Sequence, residues 1–164
     1  MQLASGGKLP DTREVKIFRL SLLVAALLAL VAVAPISAAK PGWLTNYKDA
    51  QEQAKTGKKL LLLDFTGSDW CGWCIKLDRE VFSKSEFKQY AEKNLVLLEV
   101  DFPRGKALSD EERAQNEQLA VRYQIQGFPT IIVLDGEGKK VGELSYMPGG
   151  AATFIAELDK LRKS

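Results

Sequence analysis

The sequence predicts one α/β domain over residues 40–164, in which strands alternate with helices. Two short and nearly continuous apolar runs, 59–65 and 94–102, are typical of strands that are covered on both faces. Segments with apolar residues at helical spacing separate and follow these runs. A second pair of short runs, 130–135 and 139–145, is joined by a glycine-containing turn, which indicates an antiparallel hairpin. Strands that alternate with helices in this way indicate an α/β domain.

The helices are predicted from their capping residues and their inward-facing side chains. Thr45 is expected to cap the first helix, which ends at Gly57. Ser83 and Ser109, each followed three residues later by Glu, fit capping boxes at the starts of two later helices. The side chains expected to face the core are, in chain order, Tyr47, Ala50, Ala54, Cys74, Leu77, Val81, Phe87, Tyr90, Ala91, Leu119, Ala120, Tyr123, Phe154, Leu158 and Leu161.

Residues 1–39 are typical of a secretory signal peptide. A net positive segment precedes a strongly apolar stretch, and small residues stand at Ser37 and Ala39, so that cleavage would make Lys40 the new amino terminus. An uncleaved membrane anchor through residues 20–39 is the alternative, because these 20 uncharged residues are just long enough to span a bilayer. We therefore expect an exported protein, periplasmic or secreted, or one held at a membrane by this segment.

The charge balance excludes several classes of function. The whole chain has 23 basic and 21 acidic residues, and 19 of each remain when residues 1–39 are set aside. A formally neutral domain argues against nucleic acid as the main partner, because phosphate binding needs a basic surface. Histidine is absent, so the usual general base of a cysteine protease and a frequent zinc ligand are both missing.

Both cysteines of the chain lie in the segment "DWCGWC", residues 69–74, where the predicted strand 59–65 leads into a helix. Free backbone N–H groups and the positive end of the helix dipole favour a thiolate at Cys71. Cys74 begins the inward-facing stripe, so we expect Cys71 to be accessible and Cys74 to be shielded. This arrangement suits attack on a disulfide by the first thiol and resolution of the mixed disulfide by the second.

Other uses of a cysteine pair fit the sequence less well. A c-type haem requires His directly after the second cysteine, where this chain has Ile75. Two cysteines without histidine cannot complete a four-ligand zinc site in one chain, although a site shared by two chains remains open. A structural staple across so short a loop would contribute only about 2 kcal/mol. The pattern favours a redox-active dithiol without a resident metal.

From about residue 43 to 162 the chain resembles the thioredoxin-like proteins, and more closely their exported bacterial branch. That branch includes domains similar to the carboxy-terminal domain of the transmembrane thiol:disulfide interchange protein. The segments that carry the resemblance are "LLLDFTGSDWCGWC" (61–74), "VDFPRG" (100–105), "GFPT" (127–130), "DGEGKKVGEL" (135–144) and "MPGG" (147–150). The resemblance implies a thioredoxin-like fold, with a central mixed sheet flanked by helices, and an activity that exchanges thiols with disulfides.

The resemblance also implies roles for residues near the dithiol. Cys71 would be the attacking nucleophile, Cys74 the resolving thiol, and the two would form the redox disulfide. Asp64 would be the buried acid that assists proton transfer at Cys74. Trp70 matches the tryptophan that precedes the motif and is expected to shield the pair, with a core aromatic as the alternative.

A second segment, 127–130, would face the dithiol and bind the client. Pro129 would follow a cis peptide bond, and Gly127 and Phe128 would offer backbone to an extended substrate peptide. The chain departs from typical thioredoxins at Leu97, where the family often carries a lysine facing the buried acid. We therefore expect Asp64 to be buried without a cationic partner and to have a raised pKa.

These observations predict an exported thiol–disulfide oxidoreductase that needs no dissociable cofactor. Its partners would be client proteins with disulfides or mixed disulfides and a membrane-bound or exported redox protein. Two alternatives are a non-catalytic module that binds peptides or senses redox state, and a dimer that shares a metal through Cys71 and Cys74.

Overall fold

A computed structural model describes residues 40–163, so the predicted signal segment lies outside the described residues. One four-stranded sheet has the order β2-β1-β3-β4. β1 is parallel to β2 and antiparallel to β3, and β3 is antiparallel to β4. The predicted mixed sheet and the predicted hairpin are confirmed. The strands are β1 Leu60–Thr66, β2 Leu95–Asp101, β3 Thr130–Leu134 and β4 Lys140–Leu144.

Helices cover both faces of the sheet. The short helix α2 continues directly into a π-helical turn at Asp78–Phe82. Among residues 40–163, no helix combines the length and the apolar character that crossing a membrane requires. The helices are α1 Tyr47–Gly57, α2 Gly72–Leu77, α3 Ser85–Asn94, α4 Asp110–Arg122 and α5 Gly150–Lys163.

Successive residues of β1 face opposite sides of the sheet, as in any strand. Leu60 and Leu62 belong to the core cluster that also contains buried residues of α2, α3 and α5. Leu61 and Leu63 belong to the cluster that contains buried residues of α1 and α4. This alternation places Asp64 on the face of the sheet that carries α2, the helix of the dithiol.

Two of the three predicted caps are wrong, and the reasons are local. Asn46, not Thr45, caps α1, because its side-chain oxygen accepts a hydrogen bond from the N–H of Asp49 at 3.0 Å. Ser83 does not cap α3, because the π-helical turn ends there and its hydroxyl donates to Asp78 Oδ2 at 2.8 Å. The prediction for Ser109 is confirmed, since its hydroxyl accepts from the N–H of Glu112 at 3.1 Å.

Candidate active site

Cys71 and Cys74 form a disulfide at the start of α2, with their Cα atoms 5.2 Å apart. β1 ends at Thr66, and the following loop brings Cys71 to the N-cap position of the helix. The N–H of Cys74 donates to Cys71 Sγ at 3.2 Å. An N–H group directed at a sulfur stabilises negative charge on it, so the backbone is arranged to favour a thiolate at Cys71.

The expectation that Cys71 is accessible while Cys74 is shielded is wrong for this disulfide form, in which both residues are buried. Cys71 is 7% exposed and Cys74 is 5% exposed. A disulfide brings each sulfur against the other, and each therefore covers part of its partner. The predicted placement along the helix is confirmed, since Cys71 is the N-cap of α2 and Cys74 is one of its buried residues.

Two exposed tryptophans flank the disulfide. Trp70 is 36% exposed, and its indole N–H donates to the carbonyl of Phe102 at 2.7 Å. Trp73 is 57% exposed, and its ring lies 5.1 Å from that of Tyr146. Trp70 is therefore not a core aromatic, and both rings offer apolar surface beside the dithiol.

The segment 127–129 contacts Trp70, the residue that directly precedes Cys71. The Phe128–Pro129 bond is cis, as the resemblance implies. The ring of Phe128 meets that of Trp70 edge-on with 5.9 Å between the ring centres. Gly127 is exposed and Pro129 is buried. Within the described part of the chain, no hydrogen bond occupies the backbone of Phe128, so this backbone is available to another strand.

Asp64 lies on β1, in the face that carries α2, and is 2% exposed. Removal of the carboxyl group from water raises its pKa to about 7. Its Oδ1 atom has no hydrogen-bond partner among the described residues. The predicted burial and raised pKa are confirmed. A carboxyl group of this kind can accept and return a proton near neutral pH.

The expectation that Asp64 has no cationic partner is wrong. The ammonium of Lys40 lies 3.9 Å from Asp64 Oδ2, and 3.1 Å from both Glu99 Oε1 and Asp78 Oδ1. Leu97 does remove a lysine from β2, where it lies opposite Leu62. The positive charge arrives instead from the segment that precedes α1.

The charges of this cluster act on one another. Burial alone would lower the pKa of Lys40, but Asp64, Glu99 and Asp78 together raise it. Lys40 in turn lowers the pKa of Asp64, and the neighbouring carboxylates raise it. Sequence reasoning missed Lys40, Glu99 and Asp78. Glu99 left a signal, because it interrupts an apolar strand, whereas nothing along the chain points from Lys40 to Asp64.

The loop after β2 is attached to the loop that carries the dithiol. Asp101 accepts hydrogen bonds from the N–H and the hydroxyl of Ser68 at 2.9 and 2.7 Å, and it pairs with Lys106 at 2.8 Å. Asp69 accepts from the backbone N–H groups of Arg104 and Gly105. These contacts hold the two loops as one unit beside Cys71.

Comparison with known proteins agrees with this geometry. The family model for the thioredoxin-like domain matches residues 47–162. The disulfide bond reductase DsbH of Chlamydia pneumoniae is 39% identical over 129 residues, which span 79% of this chain and 77% of that protein. A solved structure of DsbH oxidoreductase superposes with a TM-score of 0.71 at 38% identity, and covers 82% of this chain and 92% of that one.

A more distant relative is the thiol:disulfide interchange protein DsbD of Vibrio vulnificus, which is 29% identical over 128 residues. The match spans 72% of this chain but only 19% of that protein. The family match covers most of the chain, and the redox motif of the family is present as the Cys71–Cys74 disulfide. This chain belongs to the thioredoxin-like domain family and is a thiol–disulfide oxidoreductase.

Proposed function

We propose that the protein is an exported disulfide reductase that uses Cys71 as its nucleophile and Cys74 as its resolving thiol. The observation that carries this assignment is the N–H of Cys74 directed at Cys71 Sγ. This contact favours the thiolate at Cys71, which is the N-cap residue of α2. The direction of electron flow is supported by the similar protein of Chlamydia pneumoniae, which is named a disulfide bond reductase.

The proposed reaction proceeds in two exchanges. The Cys71 thiolate attacks one sulfur of a client disulfide, the client S–S bond breaks, and one client thiolate leaves. The Cys74 thiolate then attacks Cys71 Sγ, which forms the Cys71–Cys74 disulfide and releases the second client sulfur. Two electrons pass from the protein to the client, and the protons of the protein dithiol end on the client thiols. An external dithiol must then reduce the protein again.

Asp64 is proposed to accept the proton of Cys74 when this thiol becomes the attacking thiolate. The support is its burial on the α2 face of the sheet and a pKa of about 7, which leaves part of the carboxyl population ready to accept a proton at neutral pH. Lys40 and Glu99 set how readily Asp64 does so, because their charges shift its pKa in opposite directions.

The client is proposed to bind as an extended peptide beside the dithiol. The free backbone of Phe128 supports strand-like pairing, and the exposed rings of Trp70 and Trp73 supply apolar contact. Gly127, which has no side chain, leaves this approach open. A membrane-bound or exported dithiol protein is proposed as the electron donor, since residues 1–39 are typical of an export signal.

Trapping of mixed disulfides tests the roles of the two cysteines. Cys74→Ser should accumulate covalent complexes with client proteins, because the resolving thiol is gone, and Cys71→Ser should trap almost none. Non-reducing gels of both variants, expressed with the export signal, give the readout. Equal trapping by the two variants would contradict the assignment.

Reduction of insulin with dithiothreitol as the donor tests the catalytic activity itself. The parent protein should accelerate the precipitation of insulin chains, and the double serine variant should not. A parent protein that binds insulin without accelerating its reduction would indicate a non-catalytic peptide-binding module instead.

A further inference from the structure

We propose that Arg104 selects clients that carry a carboxylate close to the reacting cysteine. This inference rests on the proposed function, because it concerns the peptide that Cys71 attacks. Arg104 would determine specificity from the loop after β2, which is separate from both the dithiol and the segment 127–129. The recognised chemistry is an aspartate or glutamate side chain of an extended polypeptide.

The guanidinium of Arg104 lies over the ring of Trp70, 4.0 Å from the ring centre. Trp70 directly precedes Cys71, and its ring also contacts Phe128 in the proposed client-binding segment. A peptide that pairs with the backbone of Phe128 and presents a sulfur to Cys71 therefore passes the ring on which Arg104 rests.

The charge of Arg104 is available to a ligand. In residues 40–163, no carboxylate lies within ion-pair distance of its guanidinium, and no hydrogen bond from that group is formed. The nearest acid along the connecting loops, Asp69, directs its oxygens at the backbone N–H groups of Arg104 and Gly105. Arg104 is exposed, so its donors face solvent.

The loop that carries Arg104 is held in place before any client binds. Asp69 fixes the backbone of Arg104 and Gly105, and the indole of Trp70 binds the carbonyl of Phe102. Stacking on Trp70 further limits the rotamers of the guanidinium. A planar guanidinium suits the two oxygens of a carboxylate, and its contact with the ring of Trp70 lowers the entropic cost of binding.

A second cation lies on the other side of the dithiol. The ammonium of Lys76 is 5.0 Å from the ring centre of Trp73 and 4.8 Å from that of Tyr146. A hydrogen bond with Tyr146 and the charge of Glu80 raise the pKa of Lys76, whereas no carboxylate of residues 40–163 lies within ion-pair distance of the guanidinium of Arg104. We therefore assign the carboxylate preference to Arg104.

A purely structural role is the competing explanation, because the stem of an arginine can simply cover an exposed indole. Such a role would not distinguish one client charge from another. The decisive quantity is the ratio of rates for an acidic and a neutral client, measured with the same protein variant.

The test uses three synthetic peptides of otherwise identical sequence, each with one intrachain disulfide. The residues that flank one of the cysteines are Glu in the first peptide, Gln in the second and Lys in the third. The second-order rate constant for their reduction by the fully reduced protein is measured at low salt by stopped-flow tryptophan fluorescence. We expect the Glu peptide to react about fivefold faster than the Gln peptide and the Lys peptide to react slowest, as charge steering and rim ion pairs permit.

The variants separate charge from packing. Arg104→Met keeps an apolar stem on Trp70 and should reduce the Glu-to-Gln ratio to about one, whereas Arg104→Lys should retain most of the preference. Lys88→Gln removes an exposed cation from α3 and should leave the ratio unchanged. High salt should reduce the ratio in the parent protein.

A parent protein that reduces all three peptides at the same rate would overturn the inference and leave the reductase function intact. A preference for Glu that survives in Arg104→Met would also overturn it. Failure to reduce any of the peptides would overturn the proposed function itself, and the inference with it.

Discussion

Asp64 on β1 and Asp101 on β2 are both 2% exposed, and they differ in the partners of their carboxylates. Asp101 accepts two hydrogen bonds from Ser68 and pairs with Lys106 at 2.8 Å. Asp64 leaves Oδ1 without a hydrogen bond among the described residues, and its nearest cation, Lys40, lies 3.9 Å away. Two aspartates with the same exposed fraction therefore differ in the hydrogen bonds that their carboxylates accept and in the distance to the nearest lysine.

The difference shows that burial alone does not decide what an acidic group does. Hydrogen bonds from N–H and O–H groups compensate a buried carboxylate, and Asp101 uses them to join two loops. Without such donors, desolvation prevails and the pKa of Asp64 rises to about 7. We therefore assign a structural role to Asp101 and a proton-transfer role to Asp64, and four predictions test this division.

The largest expected effect is on the stability of Asp64→Asn. Below about pH 4 the carboxyl group is protonated in both folded and unfolded states and contributes no difference. Between pH 4 and 7 the unfolded chain ionises while the folded protein keeps its proton, so the parent loses stability as pH rises. The variant lacks this loss and should be more stable by up to about 4 kcal/mol above pH 7.

Urea unfolding of the parent and of Asp64→Asn at pH 4, 6 and 8 measures this gap. A gap that stays constant over this range would show that Asp64 does not titrate with a raised pKa. The same series with Asp101→Asn provides the comparison for a hydrogen-bonded carboxylate.

The second effect concerns the rate of resolution by Cys74. Asp64→Asn removes the proton acceptor with almost no change in volume and should slow resolution about 100-fold at neutral pH. Attack by Cys71 should be affected much less, because its sulfur is stabilised by the N–H of Cys74. Stopped-flow kinetics on a mixed-disulfide substrate separates the two steps. Resolution at the parent rate across pH 6–9, roughly the range in which this carboxyl and a thiol titrate, would make Asp64 structural.

The third effect is the loss of stability in Asp101→Asn, which we expect to be about 2 kcal/mol. An amide offers one acceptor oxygen where the carboxylate served both donors of Ser68 and the ammonium of Lys106. Lys106→Met is the matched variant, and its smaller loss would reflect a half-exposed ion pair. If Asp101→Asn is as stable as the parent and slows resolution by Cys74, the proposed division between the aspartates fails.

The smallest effect is a shift in the pH dependence of the rate at which Cys74 resolves the mixed disulfide. The quantity compared is the midpoint of this dependence. Lys40→Met removes the cation that lowers the pKa of Asp64, so the midpoint of this pH dependence should rise. Glu99→Gln removes a like charge and should lower it. Lys48→Met, on the exposed side of α1, serves as the control and should not shift the midpoint. Shifts of the same sign in Lys40→Met and Glu99→Gln would contradict this account of the cluster.

Much of the fold could be predicted because it follows from patterns along the chain. The continuous apolar runs predicted β1 and β2, and helical spacing predicted the buried positions of Ala50, Ala54 and Phe154. The exact residues at which the helices begin were harder to predict from the sequence. Asn46 and Thr45 are neighbours of residue types that both cap helices, with Asn the more favourable, and the path of the chain into α1 places Asn46 at the cap.

The candidate site divides in the same way. Cys71, Cys74 and the burial of Asp64 could be inferred, because the cysteine spacing and the apolar strand are local features of the sequence. Arg104 could not be inferred, because its contact with Trp70 depends on where the loop after β2 meets the loop after β1. The hydrogen bonds that Asp101 and Asp69 accept across these loops depend on the same contact between the loops.

The sequence by itself determined the order of strands and helices, the dithiol at the start of a helix, and the apolar strand that takes Asp64 out of water. Tertiary structure alone decided which charges surround Asp64. The register of β1 against β2 places Glu99 beside it, and the segment before α1 brings Lys40 to the same point. Electrostatic forces act through space, so charges that are remote along the chain set the pKa of Asp64 only once the sheet has formed.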